Sequence, residues 1–211
     1  MKQNKMDAVD KAEDKRLKII GITGGVGSGK SRVLTYLKYQ YQAKTYQADE
    51  IACYLQQAGT PCFDNIVAHF GTQILSNDGQ LNREQLAEIV FQDETQLLAL
   101  NQIVHPAVKN YVRQQIEFEK NKGTQLFVLE AALLIEGHYE EICDELWYVY
   151  VSEEIRKRRL REQRGYTIKK IEQIVAVQAS EYIFRQRCQR VIDNNGTFQS
   201  TCEQIAKILE K

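Results

Sequence analysis

Apolar positions along the chain follow two spacings, the short runs of buried strands and the stripes of amphipathic helices. The apolar-rich run 17–22 (LKIIGI) predicts a first strand, and Val33, Leu34, Leu37 and Tyr41 then recur at helical spacing. Further runs predict strands at 44–48, 126–130, 146–151 and 190–193, and an amphipathic pattern predicts a closing helix at 200–211. Strands that alternate with helices predict an α/β fold, in which helices cover both faces of a mostly parallel sheet.

The segment 51–122 lacks strand-like runs and carries apolar stripes at helical spacing instead. Because it lies between two predicted strands, we expect a separate helical lobe inserted into the sheet domain. Pro106 has no backbone N–H, so we expect it in the first turn of a helix, where that donor is not needed.

Two charged segments complete the predicted domain organisation. The first 16 residues alternate charges without an apolar run of secretory length, which predicts a charged tail and not a signal peptide. The segment 153–178 is basic and helical in pattern, with a break at 165–167. We therefore expect a tail at 1–16 and one domain at 17–211. Its parts are a core at 17–50, 123–152 and 179–211, the helical insert at 51–122 and a lid at 153–178.

Composition excludes several classes of protein. The 28 basic and 28 acidic residues give a net charge of zero, which argues against a protein that coats nucleic acid. Hydrophobic residues make up 43 % of the 211 and charged residues 27 %, which excludes wholesale disorder. No apolar run approaches the roughly 18 residues of a membrane span. Five cysteines, odd in number and without a C-x-x-C pair, predict reduced thiols in a cytoplasmic protein.

Residues 24–31 (GGVGSGKS) match the phosphate-loop pattern G-x-x-x-x-G-K-S/T between a predicted strand and a predicted helix, the context that the motif requires. Glycines let successive backbone N–H groups turn inward around an anion, and the helix N-terminus adds its positive dipole end. Lys30 can reach the β- and γ-phosphates, and Ser31 can offer its hydroxyl to Mg²⁺. The predicted ATP-binding residues are Gly25, Val26, Gly27, Ser28, Gly29, Lys30, Ser31 and Arg32, the last through its backbone N–H.

A nucleotide-binding loop leaves the reaction open, and a GTPase is one alternative. The stretches 4–7 (NKMD) and 193–196 (DNNG) match GTPase patterns, but both lie in the wrong order along the chain, so we interpret them as chance. A small-molecule kinase fits better, because it needs a phosphate loop, an acceptor-binding lobe and a basic lid. Arginines of such a lid neutralise the charge that develops on a transferring phosphoryl group. The cations available are Arg156, Lys157, Arg158, Arg159, Arg161 and Arg164, of which we expect one or two to reach the phosphates.

Several short motifs resemble those of dephospho-coenzyme A kinases, in the order in which that family has them. They cover the chain from Leu17 to Lys211 and leave only the tail outside. The matching fragments are 21–31 (GITGGVGSGKS), 48–52 (ADEIA), 59–61 (GTP), 69–71 (HFG), 78–83 (DGQLNR), 105–106 (HP), 133–136 (LLIE) and 191–194 (VIDN).

The resemblance implies an enzyme that uses ATP to phosphorylate the ribose 3′-hydroxyl of dephospho-coenzyme A, the last step of coenzyme A synthesis. It also implies a nucleoside-monophosphate-kinase-like core, with Asp49 at the acceptor hydroxyl and with Arg83 and His105 in acceptor binding. The chain departs from the family in having Gln47 and Ala132 where an Asp and a Pro are common. A lid arginine is also displaced by one position, which leaves both Arg159 and Arg164 as catalytic candidates beside Lys30 and Asp49.

Three site residues keep a second interpretation. Asp49 is predicted to end the second strand, and it can also serve as the N-cap of a helix that begins at Glu50. Glu130 ends the third strand, where a carboxylate can hold Mg²⁺ through water or can simply be a polar strand end. His105 can be a structural contact at a helix end. The expected cofactor is Mg²⁺ and the expected partners are ATP and dephospho-coenzyme A, with no nucleic acid or membrane, in a monomer or weak homo-oligomer.

Overall fold

The computed structural model describes residues 16–176 and 178–210. The predicted tail therefore lies outside the described residues except for Arg16, and so does the GTPase-like stretch 4–7. Within the described range, no helix has the length and apolar character needed to cross a membrane.

The centre of the molecule is a parallel sheet, and its strands occur where the apolar runs predict them. The described strands are β1 (Lys18–Thr23), β2 (Lys44–Gln47), β3 (Leu126–Glu130), β4 (Glu145–Tyr150) and β5 (Arg190–Asp193). They lie in the order β2-β3-β1-β4-β5, and every neighbouring pair is parallel. The predicted α/β fold with a parallel sheet is confirmed.

Helices cover both faces of this sheet. The described helices are α1 (Lys30–Gln40), α2 (Ala48–Leu55), α3 (Pro61–Phe70), α4 (Arg83–Gln92), α5 (Glu94–Asn121), α6 (Glu153–Arg164), α7 (Ile168–Ala176), α8 (Glu181–Arg187) and α9 (Phe198–Leu209). Their starts follow local chemistry: the hydroxyl of Thr60 accepts a hydrogen bond from Phe63 N ahead of Pro61 in α3, and Asn82 caps α4 in the same way. Helices α2 to α5 all lie between β2 and β3 in the chain, and α6 ends at Gly165 in a left-handed conformation.

The alternation of side chains along the strands divides the core into two layers. Leu126 and Val128 of β3 pack on one face with residues of α1 and α9, whereas Phe127 and Leu129 pack on the other face. The second layer is continuous with the buried faces of α2 to α5. The helical insert is therefore fixed to the sheet by a shared hydrophobic core.

Two local predictions are wrong. Asp49 does not end a strand or cap a helix: β2 passes directly into α2, with Gln47 at the N-cap in an extended conformation (φ −115°, ψ 121°). Asp49 is the second residue of α2, where the helix dipole favours a carboxylate. Pro106 lies inside α5 and not in a first turn. Val104, Val108 and other residues of α5 are buried, and this burial outweighs the cost of about 3 kcal/mol of an interior proline.

The sheet topology places the functional edge. Strand β1 lies between β3 and β4, so the chain changes direction across the sheet at β1. Ligands of such sheets bind in the crevice beyond the carboxyl ends of the strands at this point. Ile22 and Gln47 both pair in register with Glu130, so the loop after β1, the start of α2 and Glu130 meet at this edge.

Candidate active site

The loop between β1 and α1 has the backbone geometry of an anion-binding nest. Gly24 has φ 147°, and a Cβ there would lie 2.6 Å from the carbonyl oxygen of Val149. Gly29 has φ 94°, and a Cβ there would collide with the side-chain amide of Asn194. Only glycine fits both positions, and α1 then begins at Lys30 with its N-terminus toward the loop.

Lys30 is held at the centre of the site by two partners. Its ammonium donates to the Gly24 carbonyl oxygen at 2.8 Å and lies 3.4 Å from Glu130 Oε1. Both side chains of this ion pair are largely buried, 12 % and 11 % exposed. Burial raises the pKa of Glu130 above its usual value, while the charge of Lys30 acts in the opposite direction. The ammonium is therefore held in a defined position beside the loop.

A cleft of about 560 Å³ opens in front of this pair. It gathers most of the predicted site into one place, including Asp49, Arg159 and Arg164. Two of the predicted ATP-binding residues, Gly25 and Ser28, are buried behind its surface. The other predicted residues that line it are Val26, Gly27, Gly29, Lys30, Ser31, Arg32 and Glu130.

The basic segment contributes to the cleft unevenly. Arg159 donates to the backbone oxygens of Asn194 (2.8 Å) and Ser28 (3.5 Å), which fixes its guanidinium against the phosphate loop. Its pKa is lowered by burial and by neighbouring arginines. Arg164 also lines the cleft, at the exposed end of α6. In contrast, Arg158 and Arg161 line a separate surface depression, as expected for a solvated face.

A second, smaller cavity of about 120 Å³ adjoins the first and shares Asp49 with it. Its walls are mostly apolar and include Ala52, Val108 and Tyr139. His105 also lines it, in the interior of α5, so the helix-end interpretation of His105 is wrong because α5 continues through Pro106.

Arg83, the other predicted acceptor residue, lies in neither cavity. It begins α4 on the surface, and its Nη1 is 3.2 Å from Cys53 Sγ of α2. Cys53 is exposed, and all five cysteines are free thiols.

Asn194 and Phe198 line the cleft although sequence patterns did not predict them as functional residues. Asn194, 5 % exposed, donates from Nδ2 to the Ser28 carbonyl oxygen at 2.7 Å and accepts from Thr201 Oγ1 at 2.9 Å. Phe198 lies under the guanidinium of Arg32, whose Cζ is 3.9 Å from the ring centroid. The only sequence feature that could have indicated Asn194 is its position directly after the last strand. That position does not predict a contact with a loop near the other end of the chain.

The departure at Gln47 has a local consequence. Its side-chain Nε2 donates to Glu50 Oε1 at 2.5 Å, one turn into α2. Gln47 does not line either cavity described above.

The dephospho-CoA kinase family model matches residues 18–200, which is most of the chain. The chain belongs to the dephospho-CoA kinase family. A dephospho-CoA kinase of Shouchella clausii is 38 % identical over 192 residues, which cover 91 % of this chain and 97 % of that protein. The predicted family and its function, dephospho-CoA kinase activity in the final step of coenzyme A biosynthesis (EC 2.7.1.24), are confirmed.

Two solved structures share the fold of this chain. A crystal structure from Thermus thermophilus superposes with a TM-score of 0.78 at 26 % identity and covers 92 % of this chain and 97 % of that one. A dephospho-CoA kinase from Campylobacter jejuni gives a TM-score of 0.66 at 18 % identity, with 91 % and 97 % coverage, and supports the fold alone. The family is one of ATP-dependent kinases, so the GTPase alternative is not supported.

Proposed function

We propose that the cleft transfers the γ-phosphoryl group of ATP to the ribose 3′-hydroxyl of dephospho-coenzyme A, and that Asp49 orients or deprotonates this hydroxyl. The observation that supports the proposal most directly is the position of Asp49. It lines both the cleft with Lys30 and the smaller cavity with His105. A donor phosphate held at Lys30 and an acceptor held in the smaller cavity would therefore meet at one carboxylate.

The phosphate loop performs the donor half of the reaction. Backbone N–H groups from Gly25 to Arg32 would bind the phosphate oxygens, and the Lys30 ammonium would move from Glu130 to the β- and γ-phosphates. The Lys30 ammonium is already buried in its ion pair with Glu130. Moving to the phosphates would therefore add little cost of desolvation. Arg159 lies against the same loop and would stabilise the charge that spreads over the transferring phosphoryl group.

The residues present fit Mg²⁺ as the cofactor. The Ser31 hydroxyl and the carboxylates of Asp49 and Glu130 line the same cleft, and oxygen ligands of this kind suit Mg²⁺. No group of three or more His, Cys, Asp and Glu residues able to hold a metal occurs in the described part of the chain. This agrees with a metal that is bound largely by substrate phosphates and water. Bound there, Mg²⁺ would supply charge neutralisation between the β- and γ-phosphates.

The smaller cavity fits the acceptor. Its mostly apolar walls and limited volume suit a flat base, so we assign it to the adenine of dephospho-coenzyme A, with the ribose at its border with the cleft, beside Asp49. Burial and the charge of Lys109 lower the pKa of His105, which keeps this imidazole neutral and able to accept or donate a hydrogen bond at neutral pH. Arg83, which lies in neither cavity, would contact only those parts of the acceptor that lie outside them.

The proposal extends to the organisation of the chain. We assign acceptor binding to the insert 51–122, phosphoryl closure to the lid 153–178 and nucleotide binding to the core at 17–50, 123–152 and 179–211, with the tail 1–16 outside the catalytic domain. We further propose a cytoplasmic enzyme that acts as a monomer or weak homo-oligomer without nucleic acid. The zero net charge and the free thiols support this assignment.

The test is an acceptor panel with Mg·ATP, followed by release of ADP, on the wild type, Asp49→Asn and Gln47→Ala. We expect turnover with dephospho-coenzyme A. Asp49→Asn should keep ATP affinity but lose about 10² to 10⁴ in kcat, because the amide cannot take the proton. Gln47→Ala should cost much less, because Gln47 lies outside both cavities. Normal turnover in Asp49→Asn would refute the role of Asp49, and acceptor-independent GTP hydrolysis would refute the kinase.

A further inference from the structure

Lys109 presents a cation to the acceptor cavity from α5. It lies one helical turn after His105 and lines the cavity with Asp49. Its side chain is only 19 % exposed. The ammonium is 5.6 Å from the ring centroid of Tyr139, a distance typical of a cation–π contact, and Tyr139 also lines the cavity.

The carboxylate that pairs with Lys109 is easily displaced. Glu141 Oε2 lies 3.5 Å from Lys109 Nζ, and the Glu141 side chain is 61 % exposed. Arg113, one further turn along α5, has Nη2 3.9 Å from the same oxygen. An ion pair whose carboxylate lies in solvent contributes little to stability. Lys109, which lines the cavity, and Arg113, which does not, therefore share one solvent-exposed carboxylate.

We propose that Lys109 is the specificity residue for the acceptor's diphosphate, and that it exchanges Glu141 for this diphosphate on binding. The inference rests on the proposed function, because it takes the acceptor ribose to lie at Asp49. Dephospho-coenzyme A carries its diphosphate on the 5′ carbon of the ribose whose 3′-hydroxyl reacts. A ribose between the two side chains would therefore direct its 3′-hydroxyl to Asp49 and its 5′-diphosphate to Lys109.

The charges explain why the exchange favours binding. A diphosphate carries more negative charge than one carboxylate, and charge-assisted hydrogen bonds from an ammonium to phosphate are among the strong ones in proteins. The partly covered position of Lys109 also weakens solvent screening. Arg113, which shares Glu141 with Lys109, would contact the same diphosphate from a more exposed position on α5. An acceptor without the diphosphate would leave the Lys109–Glu141 pair unchanged and would bind less tightly.

The experiment compares Lys109→Met, Lys109→Arg, Glu141→Gln and the matched control Lys120→Met, which removes an exposed lysine of the same helix that pairs with Glu117. For each protein, KM and kcat are measured with dephospho-coenzyme A and with ATP, and Kd for dephospho-coenzyme A is measured by titration calorimetry. Lys109→Met should raise KM and Kd for dephospho-coenzyme A about 10- to 100-fold, with the KM for ATP unchanged. Lys109→Arg and Lys120→Met should stay near wild type, and Glu141→Gln should bind more tightly.

A salt series provides a readout that a merely structural role would not change. Kd for dephospho-coenzyme A should rise with salt in the wild type and less steeply in Lys109→Met, because one charge contact is lost. Equal Kd values in Lys109→Met and Lys120→Met, or parallel salt dependences, would overturn the inference. A wild type that binds dephospho-coenzyme A without turnover would refute the proposed function instead, and the Kd comparison would still decide the role of Lys109.

Discussion

Asn194 connects the last strand to the phosphate loop, and its substitution tests whether this contact matters for nucleotide binding. The side chain is 5 % exposed and makes two hydrogen bonds, to the Ser28 carbonyl oxygen at 2.7 Å and from Thr201 Oγ1 at 2.9 Å. Asn194→Ala removes both bonds and leaves space beside Gly29. The Ser28 carbonyl then keeps only the longer contact of 3.5 Å with Arg159 among the side-chain contacts described above.

The expected loss of stability follows from these bonds. At about 1 kcal/mol for each buried hydrogen bond, Asn194→Ala should lower the free energy of unfolding by about 2 kcal/mol. For a chain of this length, that corresponds to a fall in Tm of about 4–8 °C. The KM for ATP should rise about 5- to 10-fold, because the phosphate loop loses one of the contacts that hold its backbone in place. Differential scanning calorimetry and steady-state kinetics measure the two effects.

Thr201→Val is the matched control. Thr201 is fully buried and donates to Asn194 Oδ1, so the valine removes one of the two bonds at almost constant volume and leaves the Ser28 contact in place. It should cost about 1 kcal/mol and leave the KM for ATP unchanged. In the double variant, the two effects should couple by about 1 kcal/mol, because they share one bond. The reasoning is refuted if Thr201→Val raises the KM for ATP as much as Asn194→Ala does, or if neither variant changes it.

Three further predictions concern charged groups. Lys30→Ala should lower kcat/KM at least about 10²-fold, or about 2.7 kcal/mol, since the cation for the β- and γ-phosphates is gone; near-normal turnover would contradict the phosphate-loop assignment. Arg159→Ala should reduce kcat far more than Arg161→Ala, because Arg159 lines the cleft and Arg161 lies on the outer face of the lid. Equal and small effects of the two substitutions in single-turnover assays would show that neither arginine acts in catalysis. Because burial lowers the pKa of His105, the unfolded chain takes up its proton first as pH falls below about 6.5, so stability is lost as pH drops through the lowered folded pKa. His105→Gln should flatten this part of the curve of unfolding free energy against pH, and an unchanged slope would exclude His105 as its source.

Local sequence patterns predicted the elements of the fold well and the roles of side chains less well. The apolar runs predicted the strands correctly because strands at the centre of a covered sheet are buried, and burial requires apolar residues. The boundary at Asp49 was wrong, because a direct passage from strand to helix leaves no turn residue to mark it. The prediction that Pro106 lies in a first turn was also wrong. It rested on the local preference of proline for helix starts and took no account of the tertiary packing that keeps α5 continuous through this residue.

The amino-acid sequence by itself determined the phosphate loop, because the glycines, Lys30 and Ser31 are contiguous in residues 24–31. The conformation of the loop depends on these glycines and not on distant residues. The sequence also determined the family, through short motifs in a fixed order. Tertiary structure decided which distant groups meet this loop. Asn194 reaches Ser28 across 166 residues, and Arg159 reaches the same carbonyl across 131. Such contacts depend on the order of strands in the sheet, which brings β5 near β1, and on the position of α6 beside the phosphate loop. The position of Lys109 beside the acceptor cavity has the same origin, since neighbours across helices are set by burial and not by spacing along the chain.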